Sequence, residues 1–383
     1  MSLPDPSASL LPGTTAFALD LYHILARAEG NLVCSPYSIY TILTKLSVGA
    51  AGDSFVQLAR CLHTSPSLET MLPAVTALQQ GLAMQHLSGK IHLEEANALW
   101  PQSGFKLEAQ FRQTLATYFS ARPTALDFRR DPEAARQAIN SWAAEHTAGR
   151  IRDLFPAGTI DTLTRLVLAN AIYFKGRWAN PFDPTRTKNT PFFASPEASH
   201  EVAMMTLSAD FGYAQMDGFQ ALELPYTDHA LAMCLLVPDA IDGLPDLETR
   251  LSLDLLASLH EDLHSTQARV WLPRFQISSS FALQPALREL GASDIFDPQR
   301  ADFSAMTGDR DLFVSAAQHQ AFVEVNEEGT EAAAATGVAM AVRAMPSPPP
   351  EFRADHPFVY LIQERQTGLV LFLGRVADPQ EPI

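Results

Sequence analysis

Cysteine is scarce in this chain. Cys34, Cys61 and Cys234 are the only three among 383 residues. They are widely separated and form no CxxC pair, so the sequence offers neither a disulfide framework nor a zinc cage. They read as buried thiols. Basic residues are also few: 27 Lys and Arg stand against 43 Asp and Glu, for a net charge of −16. No cluster of cations is available to neutralise a phosphate backbone, which excludes nucleic acid as a partner. Long apolar runs are missing too. The longest, at 230–237, is stopped by Pro238, far short of the roughly 18–20 residues a membrane span requires, and no membrane partner is expected. Residues 1–13 lack a basic segment followed by an apolar run, so they do not read as a secretory leader, and no Asn-x-Ser/Thr acceptor occurs. A cytoplasmic location is favoured; an extracellular one would require that a leader had been removed.

No interior stretch has the Pro/Gly/Ser composition of a linker, and no repeat of about 20–50 residues is present. Without a boundary, residues 1–383 read as one domain, although the usual domain size of about 150 residues would allow more. With 47% hydrophobic and 18% charged residues, the chain has the material for a large core. Helical spacing dominates early, at 16–28, 38–50 and 67–87. Asp131 is placed to cap a helix over 132–146, with Pro132 at its first position. Strand signals come later: alternation at 91–100, a continuous apolar run suited to a buried central strand at 166–174, then 212–238, 269–277, 319–325 and 357–376, with helical intervals at 244–264 and 282–290. Helices first and strands later indicate an α+β fold.

Three local motifs suggest chemistry and fail on their context. His260, Glu261 and His264 match HExxH, which on a helix would offer two imidazoles to zinc with the Glu as base. Glu289 is the only acidic residue at a usable spacing for a third ligand, and Asp262 adds a charge inside the motif. A solvated helix end accounts for it, and no metal is expected. Gly52-Asp53-Ser54 resembles an esterase nucleophile, but Ser54 before a helical run reads as a cap. The glycines of GAAG at 49–52 lack the spacing of a phosphate cradle and read as helix packing. His229, His319 and His356 have no Cys or Ser partner at a catalytic spacing. The chain does not read as an enzyme, and no cofactor is implied.

The segment EEGTEAAAATG at 327–337 is the informative one. Four alanines favour a helix, yet Gly329 and Gly337 bracket the stretch, Thr330 and Thr336 are β-branched, and it is too short to hold a helix alone. As a strand it would place Thr330, Ala332, Ala334 and Thr336 on one face. A segment of that kind could slide between two strands of an existing sheet. A low-complexity run then continues to Pro350, and a loop this long in a compact domain is usually functional or disordered.

From about residue 14 to Pro379 the chain resembles the serpin family of protease inhibitors. The matching motifs are NLVCSPYSI at 31–39 with GAAG at 49–52, LANAIYFKGRWANPF at 168–182, LELPY at 222–226, LPRFQI at 272–277, ADFS at 301–304, DHPF at 355–358 and FLGRVADP at 372–379. Asp53-Ser54 departs from the family, which more often has Thr there. The resemblance implies a serpin fold with three β-sheets, eight or nine helices and an exposed reactive-centre loop at about 328–350. It also implies a suicide mechanism. A protease cleaves the loop, which inserts into the main sheet before the acyl-enzyme is hydrolysed, and the tethered protease is distorted. One monomeric inhibitor is consumed per protease.

Family positions carry over residue by residue. The hinge would comprise Glu327, Gly329, Thr330, Ala332, Ala334 and Thr336, small and uncharged on its inward face as an inhibitor requires. Counting 16 positions from Glu327 places the reactive bond at Arg343–Ala344, and an Arg there suits a protease whose specificity pocket holds a carboxylate. A trypsin-like serine protease is the expected partner. Cleavage elsewhere in the loop, after Met340 by an elastase or subtilisin type or by a cysteine protease, is the alternative, as is a non-inhibitory chaperone or carrier. Ser35, Ser38, Asn170 and His319 match the family's shutter, and Trp178, Arg274 and Glu327 its breach, where an Arg274–Glu327 ion pair is predicted. Heparin is not expected as a partner, since 65–85 contains no Lys or Arg.

Overall fold

The computed structural model describes residues 10–85, 91–227, 229–330 and 348–380. Its helices are α1 (Leu11–Leu25), α2 (Pro36–Ser47), α3 (Gly52–Cys61), α4 (Leu68–Gln85), α5 (Ala109–Phe119), α6 (Pro132–His146), α7 (Leu244–Arg250), α8 (Leu253–Asp262), α9 (Leu283–Glu289) and α10 (Ser304–Thr307). The first seven strands are β1 (Leu32–Cys34), β2 (Ile91–Pro101), β3 (Leu166–Arg177), β4 (Lys188–Ser195), β5 (Ala198–Met216), β6 (Phe219–Pro225) and β7 (Leu231–Pro238). The rest are β8 (His264–Pro273), β9 (Phe275–Ala282), β10 (Val314–Val325), β11 (Gly329–Thr330), β12 (Glu351–Arg353), β13 (Phe358–Glu364) and β14 (Val370–Val376).

Helices and strands segregate along the chain as an α+β fold demands. Among the described residues there are ten α-helical segments rather than eight or nine, and α10 is a single turn of 4 residues. The strands form two hydrogen-bonded ladders. One has the order β1-β14-β13-β7-β6-β5-β8-β12, with β4 on β5; the other has the order β11-β3-β10-β9, with β2 on β3. Three strand groups are nevertheless distinct, because the 19-residue β5 belongs to two of them. It pairs with β4 and β8 through Tyr213 and with β6 from Gly212 onward.

Local chemistry explains most boundaries. Ser35 caps α2 by accepting from the Ser38 amide at 3.2 Å, and every residue of that helix is buried, so it runs through the core rather than along a surface. Asp131 caps α6 in the same way through the Ala134 amide at 2.9 Å. On the outer face of β2 and β3, α6 sets Ala135, Ile139 and Ala143 against Ala96, Val167, Ala169 and Ala171; small residues on the strands let the helix approach. The helix expected over 244–264 is two: Leu251 leaves the helical region, and the extended Ser252 caps α8 by accepting from the Leu255 amide.

Ser54 is no cap. It lies inside α3, buried, and accepts from the Asp302 amide at 3.0 Å, while the Ala51 amide donates to the Asp302 carbonyl. Gly49 is a packing position: a Cβ there would sit 2.6 Å from Met306 Cε.

Candidate functional site

Two central strands meet along a seam. β3 and β10 run parallel and pair directly from Leu166↔Val314 to Tyr173↔Phe322, so no strand lies between them over that length. Above Tyr173 they part. β3 continues to Arg177, and β11 crosses from the end of β10 to pair with it, Gly329 opposite Arg177 and Thr330 opposite Gly176. The crossing is held by the Trp178 amide donating to the Glu328 carbonyl at 2.9 Å, the Phe182 amide donating to the Glu327 carbonyl at 2.7 Å, and Trp178 Nε1 donating to the Asn326 carbonyl at 3.0 Å. Gly329 is required here, because a Cβ would overlap the Gly176 carbonyl oxygen. The chain that leads into the 331–347 segment therefore starts at the open head of the seam.

Glu327 anchors that crossing. Its side chain is 5% exposed and accepts from Arg274, with Nε at 2.7 Å and Nη2 also on Oε1, and from the Thr187 hydroxyl. Burial acts most strongly on its carboxyl and pushes the pKa up. The donors from Arg274 and Thr187 together outweigh it and leave the carboxyl below its ordinary value. Arg274 is half-exposed. Trp178 stacks on Tyr226 at 4.7 Å between ring centroids with 12° between planes. Trp178, Arg274 and Glu327 thus share one end of the seam.

Lower down, a buried polar cluster ties β3 and β10 to α2. The Ser35 amide donates to His319 Nε2 at 3.2 Å, which fixes the neutral tautomer: Nδ1 carries the proton and donates to Asn170 Oδ1. Asn170 Nδ2 donates to the Ser38 carbonyl and hydroxyl, each at 3.0 Å. The Ser35 hydroxyl donates to the Leu371 carbonyl at 2.6 Å. Burial pushes the His319 pKa down to about 3, so the ring stays neutral at physiological pH.

The four residues singled out from the sequence are therefore one network, and three more belong to it. Asn97, opposite Asn170 on β2, donates to the Ser38 hydroxyl at 3.0 Å; Glu95 sits beside both; Lys45 of α2 donates to the Asn97 carbonyl at 3.3 Å. Burial lowers the Lys45 pKa and raises that of Glu95, and each charge partly offsets the effect on the other. No sequence spacing announces them, since Asn97 and Glu95 arrive through the register of β2 on β3 and Lys45 through the packing of α2 against β2.

Some sequence-predicted residues are not brought together. α8 ends at Asp262 and His264 opens β8, so His260 and His264 share no helix face, and both are exposed. Of Thr330 only the backbone is described, and Ala332, Ala334, Thr336, Arg343 and Ala344 lie outside the described residues.

Comparison with known proteins gives a consistent picture. A family model described as "Serpin (serine protease inhibitor)" matches residues 12–379. The leukocyte elastase inhibitor of Bos taurus is 38% identical, with 97% of this chain and 99% of that protein covered. Serpin B9 of Homo sapiens is 37% identical, covering 95% and 97%. Among solved structures, uncleaved ovalbumin superposes with a TM-score of 0.87 at 26% identity over 98% of this chain and 100% of that one. Serpin48 of the insect Tenebrio molitor gives 0.86 at 28% identity over 99% and 100%.

Proposed function

The chain belongs to the serpin family of serine protease inhibitors, and from that premise we propose that it is an inhibitory member acting on trypsin-like proteases through the Arg343–Ala344 bond. Residues 1–383 form one serpin domain in this reading, with the reactive-centre loop at about 328–350. The observation that carries it is the direct β3–β10 pairing with β11 already seated at its head. A loop cut downstream has a path to follow. The protease serine attacks the Arg343 carbonyl, forms an acyl-enzyme and releases the Ala344 amine. The hinge then continues from Thr330 between β3 and β10.

Each backbone hydrogen bond gained in such an insertion contributes about 0.5–1.5 kcal/mol net, and burial of the Ala/Thr face adds to this. The uncut form is therefore a kinetic trap. Ser35, Ser38, Asn170 and His319 would act as the shutter that yields to the incoming strand, and Trp178, Arg274 and Glu327 as the breach where it enters. Arg343 supports trypsin-like specificity because it is the only basic residue between Gly329 and Phe352.

A second specificity has its own support. Several similar curated proteins are leukocyte elastase inhibitors, which favours a small or unbranched apolar residue at the cut, and Met340 offers one. Mixing the protein with trypsin or elastase near equal ratio, followed by a denaturing gel and mass spectrometry of the released C-terminal peptide, separates the two. An SDS-resistant complex with trypsin and a peptide starting at Ala344 is the expected result. A complex with elastase alone and a peptide starting at Ala341 would replace the trypsin-like assignment. Clean cleavage by both, with no complex and no gain in heat stability, would overturn the inhibitory reading.

A further inference from the structure

The outer face of the β2–β3 sheet, beside the head of the seam, carries a concavity whose chemistry the inhibitory reading leaves unexplained. Glu94 is the register partner of Tyr173, and Lys175 lies two residues further along β3, so all three belong to one face. The connector after α6 crosses above them. It turns through Ala148 and Gly149, with φ of 50° and 75°, and carries Arg150 and Arg152 to the same place. Strand floor and connector roof bound an open cavity of about 430 Å³, within the size range that takes small ligands.

Its lining has three cations, Arg150, Arg152 and Lys175, against one carboxylate, Glu94, in a chain whose net charge is −16. Both guanidinium groups are placed by other contacts. Arg152 Nε donates to the Gly149 carbonyl at 2.9 Å, and the Arg150 guanidinium lies 5.9 Å from the Tyr173 ring centroid and 3.8 Å from the Glu324 carboxylate, which offsets part of its charge. Two planar forks and an ammonium around one concavity suit an anion with several tetrahedral oxyanion groups. We propose that this cavity binds a compact oligophosphate, either a short inorganic polyphosphate or the phosphate chain of a nucleotide.

Titration calorimetry on the full chain at fixed ionic strength tests it, with inorganic tripolyphosphate and a nucleoside triphosphate as separate probes. Saturable one-to-one binding is expected, weakened about tenfold by Arg152→Gln and again by Lys175→Met, as loss of one charge-assisted hydrogen bond each implies. Equal affinity for the two probes assigns the site to phosphate alone; tighter nucleotide binding assigns it to the nucleotide. Arg152 is exposed and Lys175 half-buried, and a melting temperature like that of the unsubstituted chain verifies folding; Lys175→Arg, which keeps the charge, is expected to retain binding. Absence of saturable heat, equal affinity in the Gln and Met variants, or equal binding of plain sulfate would overturn the proposal. No protease enters the measurement, so its failure leaves the inhibitory reading untouched, and failure to trap a protease leaves this site untouched.

Discussion

Tyr173 of β3 and Phe322 of β10 face each other at the last paired position of the seam, their ring centroids 5.9 Å apart, and one guanidinium covers both. Arg150 lies 5.4 Å from the Phe322 ring and 5.9 Å from the Tyr173 ring, and reaches Glu324 of β10 at 3.8 Å. Any strand entering between β3 and β10 must first part this pair. Contacts of this kind are worth about 0.5–2 kcal/mol when partly desolvated, with up to about 1 kcal/mol from a part-exposed ion pair. Arg150→Ala is expected to lower the barrier to opening and to speed heat-induced polymerisation by about five- to thirtyfold. Arg150→Lys, which keeps charge without the plane, should fall between. Polymer formation at fixed temperature, followed on native gels, reads it; an unchanged rate in the Ala variant would sink the idea.

Charge reversal at Glu327 should act at the same end of the seam. The carboxylate is buried against Arg274 and Thr187, and a Lys would place two cations together while removing the acceptor. Glu327→Lys is expected to open the head of the seam and promote loop–sheet polymers on warming, at a rate at least about tenfold above that of the unsubstituted chain, equivalent to about 1.4 kcal/mol in the barrier. A variant that stays monomeric under those conditions would contradict the role given to this ion pair.

His319 predicts the direction of a pH effect. Its folded pKa of about 3 lies below the ordinary 6.5, so between those values the unfolded chain binds a proton that the folded one does not. Stability from this residue is fully present above pH 6.5 and falls as the pH drops toward 3, by about 1.4 kcal/mol for each unit crossed. The groups facing the ring are the Ser35 amide, Asn170 and the Phe281 ring, none of which titrates in that range. Glu327, with a depressed carboxyl, contributes only below its ordinary 4.5, and Glu95, whose carboxyl burial raises, acts in the opposite direction above 4.5, so the comparison with a chain lacking the imidazole isolates the ring. The thermal midpoint should therefore fall between pH 7.5 and 5 in the unsubstituted chain and fall less in His319→Gln. Parallel slopes would show that the ring takes up its proton without opening the cluster.

Much of this architecture was legible because it is locally encoded. The apolar run at 166–174 suits a buried central strand and forms one, and Asp131 with Pro132 marks the start of α6. What escaped is non-local. The first half of β5 offers only the four-residue apolar run 202–205 between polar flanks, too short to announce a 19-residue strand. Asn97 and Glu95 join Asn170 and Ser38 only through the β2–β3 register, and a register is a property of two segments at once. Ser54 looked like a cap because Ser usually is one; the partner that draws it into α3 is Asp302, far along the chain.

On the proposed inhibitory reading the hinge would separate cleavage from trapping, and Thr330 is where the two can be tested apart. Its backbone already pairs with Gly176, so it is the first residue that would be drawn inward as the loop follows β11 into the seam. β3 is a buried, mostly apolar strand and β10 alternates buried apolar with half-buried polar residues, and a guanidinium drawn between them would lose most of its hydration, at a penalty of several kcal/mol. That penalty slows insertion, while hydrolysis of the acyl-enzyme is untouched. Thr330→Arg should therefore leave the rate of cleavage at Arg343–Ala344 nearly unchanged and raise the number of inhibitor molecules consumed per trapped protease by about tenfold or more. The cut variant should also fail to gain heat stability. If it traps protease as efficiently as the unsubstituted chain, insertion does not begin at Thr330, and the pairing of β11 with β3 is incidental to the mechanism.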